Sequence, residues 1–469
     1  MRVALVNTNR IQPAIAPIGL DYVAEALLAA GRRVELLDLC WEGNPEAATE
    51  KFLNSRDVSL VGVTLRNTDD CGFVSRHSFL PGFAAIIETI RRSSGALIVL
   101  GGVGFSVMPE QVLDLVGADA GIWAEGEFVF PDLASRLEHG QDWRDLPNLI
   151  WRDGSAWRRN PPSARPLSEL PPMRRTAVDN VRYFKEGGQG GFETKRGCPG
   201  QCVYCADPVA KGALTRTRPP TAVADEIENL LGQGIDHLHT CDGEFNLPEW
   251  HAREVCGEMA RCGLGDNLRW YAYCSPAPFS QELASLMRRA GCVGINFGVD
   301  SGDAAMLERL GRGFSPTDIV NATRWSKEVG MAVMLDLLLG SPGETQESLT
   351  RTVELIKQAD PDRAGVSVGV RVYPGTQLAS WLAATGETSG LSGSAGPADP
   401  LYFLEPGVAP FVFPRLDRLI AGDQRFLFFD PSKPNLNYNY NANQRLVEAI
   451  AQGHRGAYWD ILRRLGDKA

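Results

Sequence analysis

Short apolar, β-branched runs alternate with stretches whose apolar positions recur every three or four residues along most of the 469-residue chain. Toward the amino end, strand-like runs fall at residues 3–6, 33–38, 59–65, 97–100 and 118–123, with helical spacing over 19–30, 81–92, 109–115 and 127–137. This alternation predicts a parallel sheet with helices on both faces. Such a sheet binds ligands outside the carboxyl ends of its strands, which makes the loops 7–17, 65–70 and 101–106 the places to look. Prolines crowd the stretch from Pro147 to Pro172, around a hairpin pattern at 150–155, and mark a connector. Beyond it the rhythm resumes, with strands expected at 191–195, 237–242, 269–274, 294–300, 332–339 and 365–372 and helices near 222–231, 249–261, 281–290, 316–329 and 347–358. A Gly-, Ser- and Thr-rich loop at 386–400 leads into an aromatic tail holding Tyr402, Phe403, Phe426, Tyr438 and Tyr440 among asparagines, then a helix near 444–451.

Composition narrows the classes. The net charge of −10 argues against a broad nucleic-acid surface, which would be basic. No apolar run reaches the length of a membrane span, and residues 1–7 read as a first strand, not as a signal segment. The ten cysteines follow no disulfide framework outside one trio, which suits a reducing cytoplasm.

That trio is the sharpest chemical feature. Cys198, Cys202 and Cys205 are spaced C-x3-C-x2-C and follow Lys195-Arg196-Gly197. A [4Fe–4S] cluster normally takes four thiolates; three without a local fourth leave one iron open, as a catalytic zinc keeps a vacant position. An open iron can chelate an amine and a carboxylate together, the pair that S-adenosylmethionine (SAM) carries. A zinc knuckle is the alternative, although zinc sites usually add a second Cys/His pair.

The run from Lys195 to Cys205, with Tyr204 just before the third cysteine, resembles the cluster loop of radical SAM enzymes. The six later strand–helix repeats are similar to that family's partial (β/α)6 barrel, whose chemistry belongs at the carboxyl ends of the strands. The resemblance implies a SAM site. Asp242, Gly243 and Glu244 stand where the family holds the SAM amine, and Asp300 and Ser301 on the ribose side. Gly340 and Pro342 match the turn beneath adenine, and Arg371 the closing strand.

Residues 1–140 resemble the cobalamin-binding domain that precedes many radical SAM barrels, on Gly19 after Pro17, on Gly101, Gly102 and Gly104, and on Glu125-Gly126-Glu127. None of the six histidines sits in the Asp-x-His-x-x-Gly motif whose histidine ligates cobalt, so Arg66 or Asn67 is the expected neighbour of the lower face. The combined resemblance implies an α/β chain. It would have a Rossmann-like cobalamin domain (1–140), a linker (141–180), a radical SAM barrel (181–385) and a carboxyl-terminal cap (386–469).

The function implied is a cobalamin-dependent radical SAM methyltransferase. It would cleave SAM at the cluster to a 5′-deoxyadenosyl radical and pass a methyl from methylcobalamin to a carbon of a small-molecule or peptide substrate. A flavodoxin- or ferredoxin-like donor would supply electrons. A cyclisation or rearrangement on the same cofactors, or a cluster-bearing redox sensor, is the alternative. Cys241 and Cys274 read as buried small hydrophobes.

Overall fold

The computed structural model describes residues 1–163, 165–394, 396–428, 440 and 443–466. The amino-terminal strands β1 (Arg2–Asn7), β2 (Arg33–Asp38), β3 (Leu60–Thr64), β4 (Leu97–Gly101) and β5 (Ala120–Ile122) form a parallel sheet in the order β2-β1-β3-β4-β5. Alternate residues bury opposite faces of this sheet. Val6, Val63 and Ile98 pack into one apolar cluster, while Leu5, Leu60 and Val99 pack into another, and that is why the strands read as continuous apolar runs. The hairpin β6 (Leu149–Asp153) and β7 (Ala156–Arg159), expected inside the linker, instead extends this sheet as two antiparallel edge strands. A helix at Pro45–Asn54, too polar to stand out in the sequence, covers the second crossover.

The second unit begins with β8 (Gly190–Phe192), then a short hairpin of β9 (Lys195–Arg196) and β10 (Arg216–Thr217) that carries the cysteine loop. The expected strand 191–195 is therefore two strands in different sheets. The barrel continues with β11 (His237–Thr240), β12 (Arg269–Cys274), β13 (Cys292–Asp300), β14 (Ala332–Leu339) and β15 (Arg363–Val368). The chain then leaves for a small sheet of β16 (Val370–Arg371), β17 (Leu391–Ser392) and β18 (Tyr402–Phe403). It returns as β19 (Phe426–Phe428), parallel to β15, so the barrel sheet runs β19-β15-β14-β13-β12-β11-β8 with seven strands where six were expected. Phe426 and Phe428, assigned from sequence to a cap, are packed into the main core.

In every barrel strand the residues that join the outer core, such as Leu238, Trp270, Phe297 and Leu335, alternate with residues that face the lumen. Tyr271, Met334, Ala457 and Trp459 close the amino end of the lumen as a separate apolar cluster. No helix among the described residues is long and apolar enough to cross a membrane. Tyr438 and the asparagines around it lie outside the described residues. Tyr440 is described, and its ring packs on Tyr458 at 5.7 Å.

Candidate active site

The cysteine loop leaves β9 at Gly197, which has φ +80° and no room for a side chain against the carbonyl of Leu214. Asp242 fixes this start from the next strand. Buried, it accepts from the Thr194 amide at 2.9 Å, the Thr194 hydroxyl at 2.6 Å and the Lys195 amide at 3.3 Å. Expected at the SAM amine, Asp242 instead aligns the cluster loop, with both oxygens already used. On the other side the first unit holds the same hairpin. Arg196 forks onto Glu127 at 2.6 and 3.0 Å, and Arg216 pairs with Glu125. The Glu125-Gly126-Glu127 turn, expected to touch cobalamin, thus has both carboxylates bound to the two strands that carry the cysteines.

Cys198 and Cys202 lie on either side of Gly200, where an added methyl would sit 3.2 and 3.8 Å from their sulfurs. Among the described residues no three Cys, His, Asp or Glu side chains converge on one point as a single ion requires. Cys198, Cys202 and Cys205 are free, half-buried thiols of one loop, the ligand type a [4Fe–4S] cluster takes. Arg312, which no motif announced, donates to Cys202 Sγ at 2.8 Å and also contacts the Gly298 carbonyl. Burial pushes the Cys202 thiol up, and the guanidinium against its sulfur pulls the other way.

The same guanidinium lies 3.4 Å from Glu244 and 3.3 Å from Asp300. Burial pushes the Glu244 carboxyl up to about 7 against the pull of Arg312, and its buried Oε2 has no hydrogen-bond partner. An orphaned acceptor beside the cysteine loop fits an incoming ammonium. Asp300, raised by burial, accepts from the Tyr204 hydroxyl at 2.6 Å and holds φ +60°, a conformation unusual for any residue but glycine. Ser301 is buried against Thr352 at 3.0 Å, so it anchors a helix and does not face a ligand. The Gly340–Pro342 turn follows β14, with Gly340 at φ +86° and its amide on Glu344 at 3.2 Å. Gly243 lies in the loop between Asp242 and Glu244, 3.1 Å by its would-be methyl from Asp207.

Arg371, expected on the SAM side, reaches the first unit. Its Nε donates to Asp69 at 3.0 Å and its Nη1 to the carbonyls of Val372 and Leu401. Cys71 and Tyr373 meet at 3.7 Å in the same joint.

Facing the barrel, the loop after β3 presents Arg66 and Asn67. The Arg66 guanidinium has no hydrogen-bond or ion-pair partner among the described residues, and burial lowers its pKa against the pull of Tyr458, Cys241 and Tyr273. An unpaired cation in that position, at the carboxyl end of the sheet, fits a bound cofactor carrying amide and phosphate oxygens. The glycines need their own account. A side chain at Gly102 (φ +99°) would strike the Leu65 carbonyl at 2.5 Å, and one at Gly104 the Asn67 backbone at 2.9 Å, whereas Gly101 is open. Two of the three therefore allow the 65–67 loop to be packed closely and so set where Arg66 points.

The B12 binding domain family matches residues 5–134 and the Radical SAM superfamily residues 192–356. The chain is 34% identical over 444 residues to tryptophan 2-C-methyltransferase of Streptomyces laurentii, covering 81% of this chain and 74% of that protein. The chain belongs to the cobalamin-dependent radical SAM methyltransferases. The radical SAM methyltransferase TsrM of Kitasatospora setae, solved with tryptophan and an aza analogue of SAM, superposes with a TM-score of 0.91 at 30% identity. The match covers 99% of this chain and 97% of that one. A TsrM structure with cobalamin and a [4Fe–4S] cluster gives 0.90 at 29% identity. The cobalamin-dependent SAM radical enzyme OxsB shares the fold at a TM-score of 0.73 and 17% identity. The family works with a cluster, SAM and cobalamin, and the donor sets above fit each of them.

Proposed function

We propose that this methyltransferase acts on a ring carbon of a small aromatic amino acid, with tryptophan the candidate, and that the two units enclose the reaction between their strand ends. The reading rests chiefly on the tryptophan-bound relative that matches nearly the whole chain. It is helped by two rings on the lumen face, His239 and the 43% exposed Tyr273, whose centroids lie 4.7 Å apart. Aromatic rings on that face, here tilted by 45° to one another, suit a planar guest.

In this reading Cys198, Cys202 and Cys205 hold the cluster, with Arg312 fixing the position of the Cys202 sulfur. Glu244 receives the SAM ammonium through a charge-assisted bond. Asp300 and Tyr204 line the ribose side, and the Gly340–Pro342 turn supports adenine. Arg66 and Asn67 would help hold cobalamin in a chain that offers it no histidine motif. When bound, the cluster supplies cleavage of SAM to an adenosyl radical, and cobalamin supplies a transferable methyl group. The chain's part is positioning and the exclusion of water. Pro199, Gln201 and the 81% exposed Leu214 border the cysteine loop on the outside, the side on which a flavodoxin- or ferredoxin-like donor would come nearest to the cluster.

The test is anaerobic turnover of L-tryptophan with SAM by protein loaded with all three cofactors. The expected product is methyltryptophan, with 5′-deoxyadenosine counted per product. Product without deoxyadenosine removes the radical step but leaves the methyl transfer; no product with any aromatic amino acid defeats the reading. Cys202→Ala is expected to abolish turnover while cobalt per chain stays at the wild-type value.

A further inference from the structure

Four polar groups on the lumen face share one property. On β11, His239 has Nδ1 2.8 Å from the Thr240 carbonyl. The carbonyl can only accept, so Nδ1 carries the proton and Nε2 is left with a lone pair. Burial lowers this histidine to about 4, so the lone pair persists at neutral pH. On β13, Asn296 is 97% buried, being 3% exposed. Its Nδ2 donates to Asp336 Oδ2 on β14 at 2.6 Å, which fixes the amide's orientation, and its Oδ1 has no partner. Asp336 brings a carboxylate. Tyr273 on β12, level with Asn296 in the strand register, adds a phenol with no hydrogen-bond partner among the described residues.

These groups form one arc across adjacent strands. His239 touches the Tyr273 ring, Tyr273 stands beside Asn296, and Asn296 is bonded to Asp336. A nitrogen lone pair, an amide oxygen and a carboxylate are all acceptors, and a phenol can accept as well. A buried amide oxygen left unbonded costs about 1–3 kcal/mol. A fold that retains one in a lumen open toward the cofactor side points to a ligand that supplies the missing donor. The complement to an unbonded amide oxygen beside a carboxylate is a group that has N–H bonds to donate and a positive charge.

We infer that Asn296 Oδ1, with Asp336 supplying the charge, receives a primary ammonium group of the substrate. This rests on the proposal that the substrate is an amino acid, and it assigns which end of that molecule enters the lumen first. The ammonium sits between β13 and β14, and the ring lies against Tyr273 on the neighbouring strand β12. Asp336→Asn preserves shape and the bond from Asn296 while removing the charge; Asn296→Leu removes the orphan acceptor.

The test uses protein loaded with cluster, SAM and cobalamin, and compares L-tryptophan with indole-3-propionate, which lacks only the amine. Methylation of cobalamin by SAM without substrate reports that each variant is intact. In wild type, tryptophan is expected to bind at least tenfold more tightly than indole-3-propionate. Asp336→Asn is expected to raise KM for tryptophan tenfold or more with a smaller change in kcat, and to leave binding of indole-3-propionate unchanged. Equal binding of the two compounds by wild type, or equal weakening of both by the variant, overturns the assignment. If tryptophan is methylated yet Asp336→Asn and Asn296→Leu leave its KM unmoved, the ammonium assignment falls and the function proposed above stands. If wild type methylates no tryptophan, equilibrium binding of tryptamine against 3-ethylindole decides. Preference for the amine that Asp336→Asn removes upholds the ammonium site and rejects tryptophan alone, and no preference rejects both.

Discussion

Two buried polar clusters, one closed and one open, divide the work of this molecule. The closed one joins the two units behind the cysteine hairpin. Arg175, fully buried, donates to Asp21 at 2.6 Å, to Glu226 and the Gly191 carbonyl at 2.8 Å and to Asn180 at 3.2 Å. Arg218 and the Tyr22 hydroxyl bind the same Glu226. Opposite charges raise the Arg175 pKa despite a burial that works against it. Every charge there faces a counter-charge, and nothing is left for a ligand. The open cluster, around Asn296 and Asp336, is a similar set of polar groups with an acceptor left over. Polarity is common to the two; burial and satisfaction differ, and they separate a joint from a binding surface.

The comparison breaks hardest at Arg175. Arg175→Ala leaves Asp21 and Glu226 as buried carboxylates without their main partner, a loss expected to cost about 3–5 kcal/mol in a denaturant titration. It is also expected to lower cobalamin retention, because Asp21 lies on the first helix of the cobalamin unit. If stability is unchanged, the joint does not hold the units together.

Next in size is His239, in the open cluster. Its folded-state value of about 4 lies below the ordinary 6.5. Between the two the unfolded chain binds the proton and the folded chain does not, so stability is intact above about 6.5 and is lost as pH falls toward 4. The full effect is roughly 3 kcal/mol. His239→Gln is expected to flatten this part of the profile relative to wild type; parallel curves would show that the ring is not buried.

Tyr22→Phe removes one hydroxyl from the closed cluster, where it binds Glu226 and accepts from Arg218 at 3.1 Å. The expected loss is about 1–2 kcal/mol with turnover unaffected. Smallest is the stability effect of Asn296→Ala, about 1 kcal/mol or less, because the bond lost to Asp336 is offset by removing an acceptor that was unbonded already. A larger loss would move Asn296 into the structural class.

The sequence displayed these features unequally. The cysteine loop was legible because three ligands to one cluster must lie close in the chain, and the strands because both sheet faces are buried. β19 was missed since its three residues follow a long excursion and read as part of an aromatic tail. Asp242, Ser301 and Arg371 were placed at ligand positions by their neighbours in the chain, yet their side chains turn to protein partners that only the fold brings near. Arg312 follows a short helix at no recognisable spacing. Asn296 and Asp336 carried a faint signal, a polar residue alternating with Phe297 or Leu335 in an otherwise apolar strand, but pairing the two requires the register of β13 with β14.

The floor of the barrel is built from distant chain. Tyr271 bonds to Asp460 at 2.8 Å, the Gly456 amide to the Gly188 carbonyl at 2.9 Å, and the Tyr458 hydroxyl reaches the Ala14 carbonyl at 3.5 Å. Contacts this remote in sequence are among the slowest to form. During synthesis, then, the strands that bear the cysteines emerge and pair well before the segment that closes them from below. A newly made barrel whose carboxyl-terminal segment had not yet docked would lack these contacts at the end opposite the cofactors. Cluster assembly before that docking would take place in a barrel without its floor, so loading after the helix at Tyr458–Leu465 has docked is the safer order. A protease cut between that helix and β19 would loosen the same floor in the finished protein.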